Sequence, residues 1–188
     1  GADIAERNLA VSLFEIPGQE EESEKLIQKI SARAGESLDK RRQRAWLCNV
    51  LTRKYRKSGR YAEAEDLAKE AIEIGEAFGD EALRALNLVN LGNIYLDQDR
   101  AKEAILTYAE AGISAQKCGR RDIEADASRL QAGALNDLPS AAVDFPDRHE
   151  RAQAFAEHAV GLLENSLYYA ARGNAFIELG DAKEALRA

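Results

Sequence analysis

Few residues in this chain have the type and spacing that chemistry requires. Cys48 is one. Arg41, Arg42, Arg44 and Arg53 lie near it in sequence, and neighbouring cations favour the reactive thiolate. Asp144, Asp147, His149 and Glu150 form a second group, with atoms of the kind that ligate a cation. His149 and His158 stand nine residues apart. On a helix that separation is about 900° of turn, so the two rings point to opposite faces. No Gly-x-Gly phosphate motif is present. None of these groups combines a nucleophile, a base and an orienting partner, which catalysis needs. Cys48 is expected to be a buried structural thiol, and 144–150 a solvated loop. No catalytic residue, metal ligand or cofactor is assigned, and the chain is not expected to be an enzyme.

The elements that would position these side chains are helices. In 188 residues Ala, Leu, Glu, Lys and Arg are abundant and there are only 3 Pro, a composition that favours helix. The net charge of −7 argues against non-specific nucleic-acid binding by the whole chain. No stretch approaches the roughly 20 apolar residues that span a bilayer. The first apolar stretch is broken by Glu6, Arg7 and Asn8, unlike a signal peptide. Cys48 and Cys118 have no metal spacing and are expected to be reduced, which suits a cytoplasmic protein. There is no Met, so the chain is expected to be a piece of a longer one.

The chain repeats itself. Ala101-Lys102-Glu103-Ala104-Ile105 returns further along as Ala182-Lys183-Glu184-Ala185-Leu186. Leu91-Gly92-Asn93-Ile94-Tyr95 returns at the same offset as Arg172-Gly173-Asn174-Ala175-Phe176. Two steps of about 40 residues, a length typical of helical repeat units, explain that offset. One step back from Tyr95 is Tyr55, followed by Ala64, Ala68 and Ala71. One step forward is weaker: Leu135 follows Gln131 and Ala132, and the second half resumes at Ala152, Ala156 and Ala159. A degenerate first copy surrounds Ala10, Val11 and Phe14, with Ile27 and Ile30. Small Gly92, Gly173 and Ala132 would let a paired helix approach, with Ala64, Ala104 and Ala185 opposite. Tyr55, Tyr95 and Phe176 would fill the gap between successive helices.

This pattern resembles the tetratricopeptide repeat: a small residue and an aromatic on one helix, then Ala, an aromatic and Ala on the next. The step is about 40 residues rather than the usual ~34. Echoing junctions at Phe78-Gly79-Asp80 and Cys118-Gly119-Arg120 make it similar to Pins-type regulators and, less closely, to kinesin light chain and the sensor arrays of bacterial signalling ATPases. The resemblance implies an all-α, right-handed solenoid of antiparallel helix pairs. The repeats are expected at 3–36 (degenerate), 37–79, 80–119, 120–164 and 165–188 (truncated), in a single array over 1–188. Helices are predicted near 3–15, 20–34, 38–57, 61–78, 81–97, 101–118, 122–136, 148–164, 166–179 and 182–188. Gly59 and Gly79 suit left-handed turns, and Asp80 and Asp122 suit helix caps. Residues 136–147, with Pro139 and Pro146, form an unusually long connector.

In such arrays the first helix of each pair lines the concave groove. The candidate groove residues are Trp46, Asn49, Arg53, Arg56, Asn90, Asn93, Asp97, Arg129, Asn174 and Glu178, with Leu86, Val89 and Gly133 beside them. Asn87, Asn90 and Asn93 recur at three-residue spacing although Asn is a poor helix former. The resemblance implies that Asn90, Asn93 and Asn174 clamp the backbone of a guest peptide. The alternative is that Asn93 and Asn174 bond between neighbouring repeats and fix the superhelix. Trp46 is either an apolar anchor or core. Nine Lys and Arg crowd Lys40–Arg60. They are either a solvated face or a site for an acidic peptide, a carboxylate terminus or a phosphate.

The expected function is therefore protein–protein recognition by a scaffold or adaptor. The alternative is the sensor or autoinhibitory region of a larger signalling ATPase or transcription regulator. Nucleic-acid binding through the basic block is a third and weaker reading. Self-association is expected to be open to the truncated C-terminal end, where an array exposes an apolar face.

Overall fold

The computed structural model describes residues 2–14, 16, 18–33 and 38–163. These form α1 (Ala2–Phe14), α2 (Glu20–Arg33), α3 (Leu38–Lys57), α4 (Tyr61–Phe78), α5 (Glu81–Asp97), α6 (Ala101–Lys117), α7 (Arg121–Asp137), α8 (Ala141–Asp144) and α9 (Arg148–Leu163). There is no strand among the described residues. The helices predicted at 166–179 and 182–188 fall outside them, as do Gly173, Asn174, Phe176 and Glu178.

Turn chemistry explains the breaks. Gly59 and Gly79 have φ of 77° and 63°, a region that penalises a Cβ. The Gly79 N–H donates to Glu76 O and the Asp80 N–H to Gly75 O, which closes α4. The Asp80 carboxylate then accepts from Leu83 N–H at 3.0 Å and opens α5. Asp122 does not cap in the same way. α7 follows Arg120, and the Asp122 carboxylate accepts two bonds from the Arg120 guanidinium, at 2.6 and 2.8 Å. Asp99 stands one step after Gly59 and keeps a positive φ of 53°, which Asp tolerates. One step further stands Pro139. Its ring locks φ in the negative region, so the tight turn cannot form there. The chain makes the single turn of α8 instead before α9 begins.

The helices stack in order. α1 packs on α2, α3 on α4, α4 on α5, α5 on α6, α6 on α7 and α7 on α9. The first helices of successive pairs also touch, α3 with α5 and α5 with α7. The second helices α4, α6 and α9 have no comparable contact with one another. The row α3–α5–α7 is thus the inner side of the stack.

Two contacts set the spacing. Within the pair α5–α6, a Cβ on Gly92 would lie 2.4 Å from Tyr108 Cε1. The Tyr108 ring fills that place, fully buried, and its hydroxyl donates to Asn93 Oδ1 at 2.8 Å. Ala104 is fully buried on α6. Between pairs the contact is a clasp of three side chains. The Tyr95 hydroxyl donates to Glu65 Oε1 on α4 at 3.2 Å, and Arg100 reaches Glu65 Oε2 at 3.2 Å. The Arg100 guanidinium lies over the Tyr95 ring, 4.2 Å from its centroid. One step earlier, Tyr55 donates to Glu24 on α2 at 2.9 Å, Arg60 pairs with Glu24, and Arg60 covers the Tyr55 ring at 4.1 Å. Burial, with Glu24 adding to it, pushes the Tyr55 phenol up to about 12. The degenerate first pair joins through Ala10, Ile27, Leu47 and Leu51, which form one buried cluster.

Gly92→Ala is expected to destabilise the chain by about 1–3 kcal/mol, because the Tyr108 ring has to move. Tyr95→Phe should cost about 0.5–1.5 kcal/mol, the net value of its hydrogen bond. Tyr95→Ala should cost about 3–5 kcal/mol through the cavity as well. Urea unfolding measures all three. A Gly92→Ala chain as stable as the parent would show that the close approach is not a constraint.

Candidate functional site

The inner side is built from one face each of α3, α5 and α7. Trp46, Leu86 and Asp126 stand at the same position on these helices, one repeat step apart. Trp46 is 39% exposed and Leu86 43% exposed, so Trp46 is a surface residue and not core. Asn49 is buried. Its Nδ2 donates to Asn87 Oδ1 at 3.2 Å, and the fully buried Asn87 donates on to Leu83 O at 2.9 Å. This amide rung ties α3 to α5. Further along, Arg56 Nε donates to Asp97 Oδ2 at 2.7 Å and ties the same two helices again.

Asn90 stands about one turn along α5 from Asn87. It is only 7% exposed, and its Nδ2 has no hydrogen-bond acceptor. A buried donor in that condition is costly. Asn93, by contrast, accepts from Tyr108 within its own helix pair, so it holds the pair together and not its neighbours. Arg129 on α7 donates to Asp126 Oδ1 at 2.7 Å. Gly133 is half-buried, Val89 buried and Arg53 exposed. Burial pushes the Tyr108 phenol up, opposed by Arg56 and Arg129 and reinforced by Asp126 and Asp97. Those four charges, paired as Arg56–Asp97 and Arg129–Asp126, therefore act on one hydroxyl. Asn174 and Glu178 lie outside the described residues.

Sequence reasoning misses two participants. Tyr108 reads as an aromatic of the repeat, without a place at the inner face. Asn87 reads as one member of an asparagine series, and its partner Asn49 lies off the repeat step. No spacing rule points to that pair. The ion pairs Arg44–Glu70 and Arg84–Glu110 do carry a signal, the same separation in sequence.

Bond-making chemistry finds little support. Burial, with Glu70 adding to it and Arg44 opposing, pushes the Cys48 thiol up to about 12. The nearby arginines do not activate it. Asp147 pairs with Arg151 at 2.7 Å, and His149 Nδ1 lies 3.3 Å from Asn136 Oδ1. Among the described residues no group of three or more His, Cys, Asp or Glu side chains could hold a metal ion. No described helix is long and apolar enough to cross a membrane.

Helix pairs that stack through a small-residue and tyrosine interlock define an α-solenoid of the tetratricopeptide type. Residues 55–111 match the tetratricopeptide repeat family model. Among solved structures, the chain is similar to a putative kinesin light chain from Podosopora anserina with nearly identical TPR-like repeats. The TM-score is 0.69 and the identity 19%, over 97% of this chain and 86% of that one. A single-substitution form of that protein gives 0.70 and 18%, over 97% and 85%. BtubC (BKLC) from P. vanneervenii gives 0.65 and 23%, over 90% of this chain and 67% of that one. No curated protein matches the sequence. The tetratricopeptide match thus falls on the segment 55–111, and the fold of the chain is that of the solved kinesin light chain-like repeat arrays. Such repeats generally form protein–protein interaction modules.

A disulfide-exchange reagent at pH 8 should label one thiol per native chain, the exposed Cys118, and two in denaturant. Rapid native labelling of Cys48 would contradict its burial. Asn87→Ala should destabilise by about 1–3 kcal/mol, since it strands the buried Asn49 amide. The change is read from urea unfolding.

Proposed function

We propose that the chain is a recognition module that holds a segment of a partner protein along the inner face of α3, α5 and α7. The single observation that carries this reading is Asn90: a nearly buried amide donor without an acceptor, one turn along α5 from the exposed Leu86, whose counterpart on α3 is the exposed Trp46. That nitrogen is itself buried, so a rotation of the Asn90 side chain is needed to offer the donor to a peptide carbonyl. Trp46 and Leu86 would then cover apolar side chains of the guest. Arg53, exposed on the same helix as Trp46, favours a guest that carries a carboxylate. Arg56 and Arg129 are already paired with Asp97 and Asp126, so they shape the base of the groove more than they attract charge. Trp46, Asn49, Arg53, Arg56, Asn90, Asn93, Asp97 and Arg129 are the proposed groove, on helix pairs at 37–79, 80–119 and 120–164. That the solved arrays include proteins named kinesin light chain is consistent with a scaffold or adaptor. Self-association through the C-terminal end concerns residues outside those described.

The test is a displayed peptide library selected on the parent chain. Trp46 is the only Trp, so bound peptides should shift its emission. Asn90→Ala should weaken them about 2- to 12-fold, the equivalent of one net hydrogen bond. Peptides that bind the parent and a folded Asn90→Ala chain equally, with Trp46 emission unchanged, would overturn the reading.

A further inference from the structure

The outer side of the stack also varies from pair to pair, and one channel there differs from its predecessor. The first helix of each pair carries a charged residue at the same place: Arg44, Arg84 and Glu124. Each meets a partner on the second helix of its own pair. Arg44 bonds Glu70, Arg84 bonds Glu110, and Glu124 Oε1 lies 3.4 Å from His158 Nε2. The polarity is reversed in the last of these. The acid now sits on the first helix, and its partner is a residue that carries charge only when protonated.

The reversal changes the channel between successive second helices. Between α4 and α6 the guanidinium of Arg84 bridges the gap. It donates to Glu76 on α4 at 2.9 Å, and to Glu110 and Ser114 on α6. Between α6 and α9 Gln116 stands where Glu76 stood and His158 where Glu110 stood, and no such bridge spans the described residues. An open channel of about 450 Å³ remains. Ala109, Gly112 and Ile113 form one wall and Ala154 and Phe155 the other, with Glu124 and Ser128 in the floor. Glu124 is 8% exposed. Ile113 is 55% exposed, with Leu106 on the same helix at 59%. The positions one step earlier on α4 are Glu73 and Asp66. Gln116, Gln131 and His158 also line the channel, so its walls are uncharged but for His158 and mostly apolar, where its predecessor is charged, and its floor is acidic, where its predecessor is basic.

We propose that this α6–α9 channel is a second binding surface, separate from the inner groove. It takes a protein segment that presents an arginine or lysine beside an aliphatic side chain. The guest cation meets Glu124 and supplies from outside the charge that Arg84 supplies from within at the preceding channel. Its aliphatic part covers Ile113 and Phe155. Charge complementarity decides the occupant: a nearly buried carboxylate at the end of an apolar slot favours a cation with an apolar stem.

N-hexylguanidinium, n-hexanol and hexanoate are suitable probes, followed by amide chemical shifts of the whole chain. Hexylguanidinium should give saturable shifts at Ile113, Ser128 and Phe155, and bind about fivefold or more tighter than hexanol, with hexanoate weakest. Glu124→Gln should erase the difference between hexylguanidinium and hexanol. Ile113→Ser, at an exposed site, should weaken both. If Glu124→Gln fails to fold, the order of the three probes on the parent and their response to Ile113→Ser decide. Equal affinity for all three, or no saturable shift in the channel, overturns the proposal. A dimer of the chain that hexylguanidinium dissociates would place a second copy in the channel and overturn the assignment to a foreign segment.

Discussion

The structure depends on how close α5 can come to α6. Gly92 has no side chain, and the Tyr108 ring occupies the space a Cβ would take. A greater separation of the two helices would leave a void beside that ring. The same ring orients its hydroxyl onto Asn93, within the electrostatic influence of Arg56, Asp97, Asp126 and Arg129. One steric fit thus sets both the depth of the core and the polar base of the inner face. Packing and surface chemistry are not independent in this pair.

The two sides of the stack answer to different constraints. On the inner side, first helices touch one another and are tied by Asn49–Asn87 and Arg56–Asp97. A side chain there has neighbours from two pairs, and its freedom is small. On the outer side, second helices stand apart. A channel can be bridged, as by Arg84, or left open, as over Glu124, without disturbing the stack. The fold therefore couples neighbouring pairs on the inner side while leaving each outer channel to vary by itself.

Much of this is legible from residue spacing. The helices and their breaks follow from turn glycines, from Asp80 and from apolar periodicity, all of them local signals. The repeat step picks out Gly92, Tyr55 and Tyr95 because packing demands recur with the module. Asp122 has the residue type of a cap but stands inside α7, two residues past the N-cap Arg120, whose guanidinium donates to its carboxylate. That outcome is decided by where the helix starts, a boundary that shifts by a residue or two. Asn49–Asn87 is hidden because it joins positions that are not equivalent in the two modules. The reversal at Glu124 is hidden by the connector: Pro139 and α8 displace His158 from the step that Glu70 and Glu110 keep. Asn90 stands out by its residue type, but only coordinates reveal an amide without an acceptor.

The clasp of Tyr95, Arg100 and Glu65 straddles a boundary: the acid belongs to one module and the other two residues to the next. Tyr55, Arg60 and Glu24 do the same one module earlier. The pair α3–α4 therefore carries half of two clasps, Tyr55 and Arg60 facing back and Glu65 facing forward. Duplicating it whole regenerates every clasp at the new seam, with no compensating change elsewhere. Gene-level growth of such an array by unit copying is thus chemically self-healing, whereas insertion of a foreign helix pair would leave a carboxylate stranded on one flank and a guanidinium on the other.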